Sequence, residues 1–197
     1  MAQKLKRVFL VAISIFVLGF SSLTNAYAAT PIYGYQNING VGNVTVWLDY
    51  SSGVGYWQSY ITNAANNWMY PGWSNPIYMN FVSNNYGSNM DFYLRNDAFW
   101  GGSMNVLAET RFFVNGGAQV YPWSSNWNYS EIYINHDVYS LPNVTNDMAL
   151  GTTIHEMGHA FGLNHTTNVN SIMCQTGSGR VVQRVQQTDN DAINIIY

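Results

Sequence analysis

The sequence predicts an α+β domain, and three observations carry that prediction. Val44-Thr45-Val46-Trp47-Leu48 alternates and is rich in β-branched residues, as a half-buried strand is. Trp57, Tyr60, Ile61, Ala64 and Trp68 recur at helical spacing. From Asn146 a second helical pattern places Ala149, Leu150, Thr153, Ile154, Met157, Ala160 and Phe161 on one apolar face. The order of strand, helix, several strands, helix, loop and short closing helix fits α+β, with no internal repeat and no second domain.

The first stretch stands outside that domain. Lys4, Lys6 and Arg7 precede an apolar run, Val8 to Phe20, broken only by Ser14 and Gly19. Ala26-Tyr27-Ala28 then places small residues where signal peptidase reads them. The run is shorter than the roughly 20 residues a membrane-spanning helix requires. Residues 1–28 are therefore expected to be a signal peptide and 29–197 a secreted domain, with no stable membrane association after cleavage.

Within the domain, Asn37, Asn39, Gly40 and Gly42 form a flexible lead-in to the first strand. Ser51 to Gly55 reads as a turn and Tyr56 to Met69 as an amphipathic helix ended by Pro71-Gly72. Ile77 to Val82 and Met90 to Leu94 read as strands about an Asn/Gly loop. Val106 to Val114 is a longer strand followed by a turn at Asn115-Gly116-Gly117, and Glu131 to Asn135 is another strand. Thr145 or Asn146 can cap the second helix, and Thr188 or Asp189 the closing helix with Ile193, Ile195 and Ile196.

Charge narrows the partners. Three of the seven basic residues fall in the export segment, and the four Arg that remain face ten acidic residues, leaving a formal charge of −6. Phosphate binding requires clustered Lys and Arg, so nucleic acid is excluded as a partner. Cys174 is the single cysteine, which rules out an intramolecular disulfide. The N-x-[ST] triplets at Asn43, Asn128, Asn143 and Asn164 are what chance gives in so Asn-rich a chain.

The chemistry lies in one segment. His155-Glu156-Met157-Gly158-His159-Ala160-Phe161-Gly162-Leu163-Asn164-His165 fits H-E-x-x-H-x-x-G-x-x-H at every fixed position. Residues four apart share a helix face, so His155 and His159 can bind one metal ion. Gly162 can take the left-handed conformation that stops a helix and turns the chain, bringing His165 back as a third ligand. Three neutral imidazoles leave a fourth position open, the arrangement of a catalytic zinc site and not of a closed structural one. Glu156 then lies beside the metal as the base that takes a proton from the attacking water and returns it to the leaving amine. With only four His and three Glu in the chain, shuffled sequences would match on the order of once in a million.

By this motif the chain resembles the metzincin clan of zinc metalloendopeptidases, and within it most closely the matrixins. Ser171-Ile172-Met173 stands where the clan's methionine turn belongs, which would place Met173 beneath the imidazoles. Thr166 follows the third histidine, close to the matrixin Ser and unlike the adamalysin Asp or astacin Glu. Gln175 stands two residues beyond Met173, so the tyrosine ligand of astacins and serralysins is missing. The closing segment Gln187 to Tyr197 is similar to the final matrixin helix. The resemblance implies a twisted mixed β-sheet packed on two long helices, a zinc helix, and a C-terminal subdomain with the methionine turn and closing helix. It further implies a secreted, monomeric endopeptidase acting on protein or peptide substrates through a zinc-held water, one catalytic zinc, and calcium sites that scattered Asp residues do not assign.

The sequence departs from the family in two ways. No propeptide with a cysteine switch is expected, since the expected mature start falls directly before the first strand, and only His136 remains of the histidines a second zinc would need. His136-Asp137 reads as a surface or core pair, and Cys174 as a buried packing thiol. Tyr121, Trp123, Trp127 and Tyr129 read mainly as core and loop anchors, with a sugar- or aromatic-binding platform as the other use. By the same resemblance, Val106 to Phe112 would be the edge strand on which an extended substrate lies, meeting Leu107 and Ala108. A reading of a different class is a non-enzymatic binding module with structural zinc. Glu156 discriminates the two, since a structural site has no use for an unliganded carboxylate.

Overall fold

A computed structural model describes residues 29–114 and 117–197. The predicted signal peptide and the Asn115-Gly116 part of the predicted turn lie outside the described residues. Six strands form one sheet in the order β2-β1-β3-β6-β4-β5. They are β1 (Val44–Leu48), β2 (Met79–Val82), β3 (Met90–Arg95), β4 (Ala108–Val114), β5 (Ala118–Val120) and β6 (Tyr129–Asn135). Strands β2, β1, β3 and β6 run parallel, and β4 is antiparallel to both β6 and β5. The architecture is a mixed-sheet α+β domain, as the sequence predicts.

Strand β1 buries Val44, Val46 and Leu48 and leaves Thr45 and Trp47 half-exposed, which is the alternation read from the sequence. The buried face continues through Phe92, Ile132 and Ile134 and packs on two helices, α1 (Gln58–Met69) and α3 (Asn146–Ala160). A single-turn helix α2 (His136–Tyr139) and a closing helix α4 (Gln187–Ile196) are the other α-helices among the described residues. Helix α1 presents Ile61, Ala64, Ala65 and Trp68 to the core, and the Trp68 indole N–H donates to the Ile154 carbonyl of α3 at 2.9 Å.

Several element ends differ from the sequence reading. A 3-10 turn over Val54–Trp57 precedes α1, so its α-helical part begins at Gln58 and not at Tyr56. Strands β2 and β4 each start two residues later than expected, and β6 starts two residues earlier. Thr145, not Asn146, caps α3 by accepting from Met148 N–H at 3.2 Å. Gln186 caps α4, and Asp189 sits in its first turn, accepting from Gln186 N–H at 2.9 Å. Neither Thr188 nor Asp189 is the cap, because the helix already starts at Gln187.

Strand β5 was not legible in the sequence, and its presence changes the status of β4. It covers only the second half of β4, pairing Phe112, Phe113 and Val114 with Val120, Gln119 and Ala118. The half from Ala108 to Arg111 has no strand on that side among the described residues. The Leu107 carbonyl accepts from Asn135 N–H at 2.9 Å, so it is used by β6 and does not face outward. In that antiparallel register Ala108, opposite Ile134, turns its own N–H and C=O away from β6. The expected edge strand is thus half an edge, with Ala108 presented and Leu107 not.

Candidate metal and catalytic centre

Helix α3 is buried continuously from Gly151 to Ala160, so His155, Glu156 and His159 project from a rigid central element. Its end is a Schellman motif. Leu163 N–H donates to the Gly158 carbonyl at 2.9 Å, Gly162 N–H to the His159 carbonyl at 2.9 Å, and Gly162 has φ of 100°. The turn expected at Gly162 therefore forms and carries His165 back over the helix. An N-terminal segment holds the turn in place. Tyr33 N–H donates to the Gly162 carbonyl at 2.9 Å, and Asn164 N–H to the Pro31 carbonyl at 2.7 Å.

The three imidazoles converge through their Nε2 atoms. His165 Nε2 lies 3.0 Å from His159 Nε2 and 3.2 Å from His155 Nε2. A tetrahedral zinc with nitrogen donors at about 2.0–2.1 Å spaces them roughly 3.3 Å apart, so the triangle fits the ion. The other ring nitrogens fix the tautomer. His155 Nδ1 donates to the Ile172 carbonyl at 2.8 Å and His159 Nδ1 to the Leu163 carbonyl at 2.9 Å, leaving each Nε2 lone pair free for a metal. Burial pushes the protonation of all three down, with His159 lowered to about 3, so the metal-free pocket holds neutral imidazoles.

Glu156 is buried beside this cluster without joining it. The Thr110 hydroxyl of β4 stands 2.8 Å from Glu156 Oε2 and 2.9 Å from its main-chain oxygen. Burial raises the Glu156 carboxyl to about 7, and hydrogen bonding from Thr110 pulls the other way. Tyr33 reaches the other side of the cluster, its hydroxyl 3.0 Å from His159 Nδ1, and burial raises its pKa.

Met173 is fully buried, and a Cβ added to Gly158 would run into its sulfur and meet Trp68 at 3.1 Å. Gly158 thereby lets both α1 and the 171–173 segment close on the histidine-bearing helix. Asp189, also fully buried, ties that segment down. It accepts from Thr30 Oγ at 2.6 Å, from the Ser171 hydroxyl, and from Ile172 N–H at 3.1 Å. The same Ile172 offers its carbonyl to His155.

The histidines and Glu156 line a cleft of roughly 550 Å³ with Ala108 to Phe112 on one wall and Gln175 to Ser178 on the other. Tyr33 and Arg180 also line it, and sequence reasoning missed both, as it missed the bond from Thr110 to Glu156. Of the four aromatic residues grouped in the sequence, Trp127 is fully buried and donates to the Ala160 carbonyl at 3.2 Å. Tyr129 donates to Asp91 at 2.8 Å, and only Tyr121 and Trp123 remain exposed, stacked at the cleft mouth with ring centroids 4.9 Å apart. His136 stands apart, its Nδ1 accepting from the Trp57 indole at 3.2 Å. Cys174 is buried, with its sulfur 3.6 Å from the Gln175 carbonyl.

A neutral three-nitrogen donor set in an open cleft suits a hydrolytic zinc centre. The family comparison points the same way: the matrixin family model matches residues 58–197, from the first residue of α1 to the end of the chain. The chain belongs to the matrixin family of zinc metallopeptidases. No curated protein matches it. Among the described residues no helix is long and apolar enough to cross a membrane.

Proposed function

We propose that the protein is a secreted endopeptidase in which His155, His159 and His165 hold one catalytic zinc and Glu156 is the general base. The observation that carries this reading is the position of Glu156, buried in the cleft wall with its carboxylate bonded to Thr110 and not to the histidines. Zinc, when bound, supplies a Lewis acid that polarises the scissile carbonyl and acidifies water. Glu156 accepts the proton as the water oxygen bonds to the carbonyl carbon. It then delivers that proton to the amine as the carbon–nitrogen bond breaks. Burial raises the pKa of Glu156 in the metal-free cleft, which strengthens the carboxylate as a base.

Protein or peptide substrate fits the cleft as an extended strand. Ala108 turns an N–H and a C=O toward it, and main-chain hydrogen bonds there hold a peptide whatever its sequence. Met173, within the turn that the Cys174 N–H closes onto the Ser171 carbonyl at 3.2 Å, is read as the methionine turn of the family. Secretion rests on the segment 1–28, and the domain beyond it is read as a monomer.

The test combines metal and base. Chelation should abolish cleavage of a mixed peptide library and added zinc should restore it. Glu156→Ala should retain one zinc per chain and lose about 100- to 10,000-fold in turnover. Cleavage that persists without zinc, or in Glu156→Ala at near the original rate, overturns the reading.

A further inference from the structure

Arg180 is the feature of the cleft that the mechanism leaves unused. It follows the 3-10 turn Thr176–Ser178 and Gly179, whose φ of 89° bends the chain back toward α3. Its side chain is only 7 % exposed, yet it lines the cleft with Thr152, His155 and Glu156. All of its hydrogen-bond partners are neutral. Nη1 reaches the carbonyls of Ile172 and Cys174 at 3.3 and 3.4 Å, and Nη2 reaches Thr152 Oγ1 and Gln183 Oε1, both at 3.3 Å. Nε is buried without a partner.

Those four bonds are long. Guanidinium–carboxylate bonds are about 2.7–2.9 Å, often paired, and roughly twice as strong as neutral ones. A buried cation without a counter-ion is costly, so this arrangement is stabilised by any carboxylate that reaches it. Arg180 joins no ion pair among the described residues, whereas Arg111, on the opposite wall, is paired with Glu109 at 2.9 Å. The field of Glu156 reaches Arg180, but the Glu156 carboxylate is bonded to Thr110. The fold also makes room for this cation. A Cβ on Gly151, one turn before His155, would collide with Gln183 and lie 3.1 Å from Arg180 Nη2.

We propose that Arg180 makes the enzyme selective for substrates with an acidic side chain beside the scissile bond, seated in the recess between α3 and residues 175–180. This rests on the endopeptidase reading and deepens it by naming a substrate class. The carboxylate displaces the weak contacts to Thr152 and Gln183 and gains a charged partner where water is scarce. A basic side chain in the same recess meets a like charge.

The experiment uses the zinc-loaded protein and two peptide series, one varied on the carbonyl side of the scissile bond and one on the amine side. Each series places Glu, Gln or Lys at that position. In one series kcat/KM for Glu should exceed that for Gln by about 10-fold or more, with Lys lower still. In Arg180→Gln the Glu-to-Gln ratio should fall to near one, and Arg180→Lys should recover part of it. Zinc-loaded Glu156→Gln, which cuts too slowly to interfere, should bind the preferred Glu peptide more tightly than its Gln counterpart by calorimetry. Equal rates for Glu and Gln in both series overturn the selectivity and leave the endopeptidase reading standing. A ratio that persists in a folded Arg180→Gln protein assigns the preference to another residue and also overturns the proposal. A zinc-loaded protein that cuts none of the peptides overturns the endopeptidase reading, and the selectivity falls with it.

Discussion

Thr110 Oγ lies 2.8 Å from Glu156 Oε2, so a strand residue holds the carboxylate of a helix residue 46 positions away. Without that bond the ionised carboxylate loses a donor while its burial remains, and its pKa rises further. Thr110→Val should therefore lower kcat/KM at neutral pH by roughly 10-fold, about the worth of one hydrogen bond to a charged group. The acid limb of the pH–rate profile should move to higher pH. An unmoved limb would show that the bond does not set the basicity of Glu156.

Metal-free protein should lose thermal stability on acidification in two stages. Folding lowers the pKa of His155, His159 and His165, with His159 at about 3, so unfolded histidines take up protons below about 6.5 that folded ones refuse. Their contribution is complete above that pH and is lost as pH falls. Glu156 acts in the opposite sense, because its folded pKa of about 7 exceeds the ordinary 4.5 and stability is gained as pH falls between the two. Tm should therefore fall gently from pH 6.5 to 4.5 and more steeply below. Glu156→Gln should remove the break between the stages, and a Tm that rises on acidification below pH 6.5 would contradict the assignment.

Ala108 presents its N–H toward the cleft, and Ala108→Pro deletes that donor without touching the imidazoles. The Michaelis constant should rise at least several-fold for extended peptides while zinc content stays at one per chain. Soaking a peptide-like inhibitor into crystals gives the direct view: a backbone ladder to Ala108 is expected, and an inhibitor seated elsewhere ends the strand-addition idea.

Gly158→Ala would place a methyl group against Met173 and Trp68, in a region with no space for it. Overpacking of this kind costs about 1–3 kcal/mol. Because α3 must shift to accept the methyl, zinc affinity should drop along with Tm. Competition with a fluorescent chelator measures the first and thermal unfolding the second. Unchanged values for both would mean that Gly158 is not a packing constraint.

The histidine cluster was legible because its signal is local. His155 and His159 stand four positions apart and His159 and His165 six, spacings that a helix and one glycine turn convert into a cluster. Strand β1 was legible for a similar reason, its alternation matching one buried face. The contacts that complete the cleft carry no such signature: Tyr33 meets His159 across 126 positions and Arg180 meets Thr152 across 28. Strand β5 escaped notice because three residues, Ala118-Gln119-Val120, are too few to show a period. The cap of α4 was misplaced because a Thr and an Asp both have capping chemistry, and only the fold decides that Gln186 holds the position.

The clamp at Asp189 has a consequence for the order in which a working protein can arise. A ribosome delivers His155, Glu156, His159 and His165 well before residue 189, whose carboxylate joins Thr30, Ser171 and Ile172. A nascent chain that carries the whole motif thus still lacks the tie that orients the carbonyl holding His155. A chain cut short before Asp189 is therefore expected to bind zinc poorly, because the Ile172 carbonyl that meets His155 is fixed only once α4 is in place.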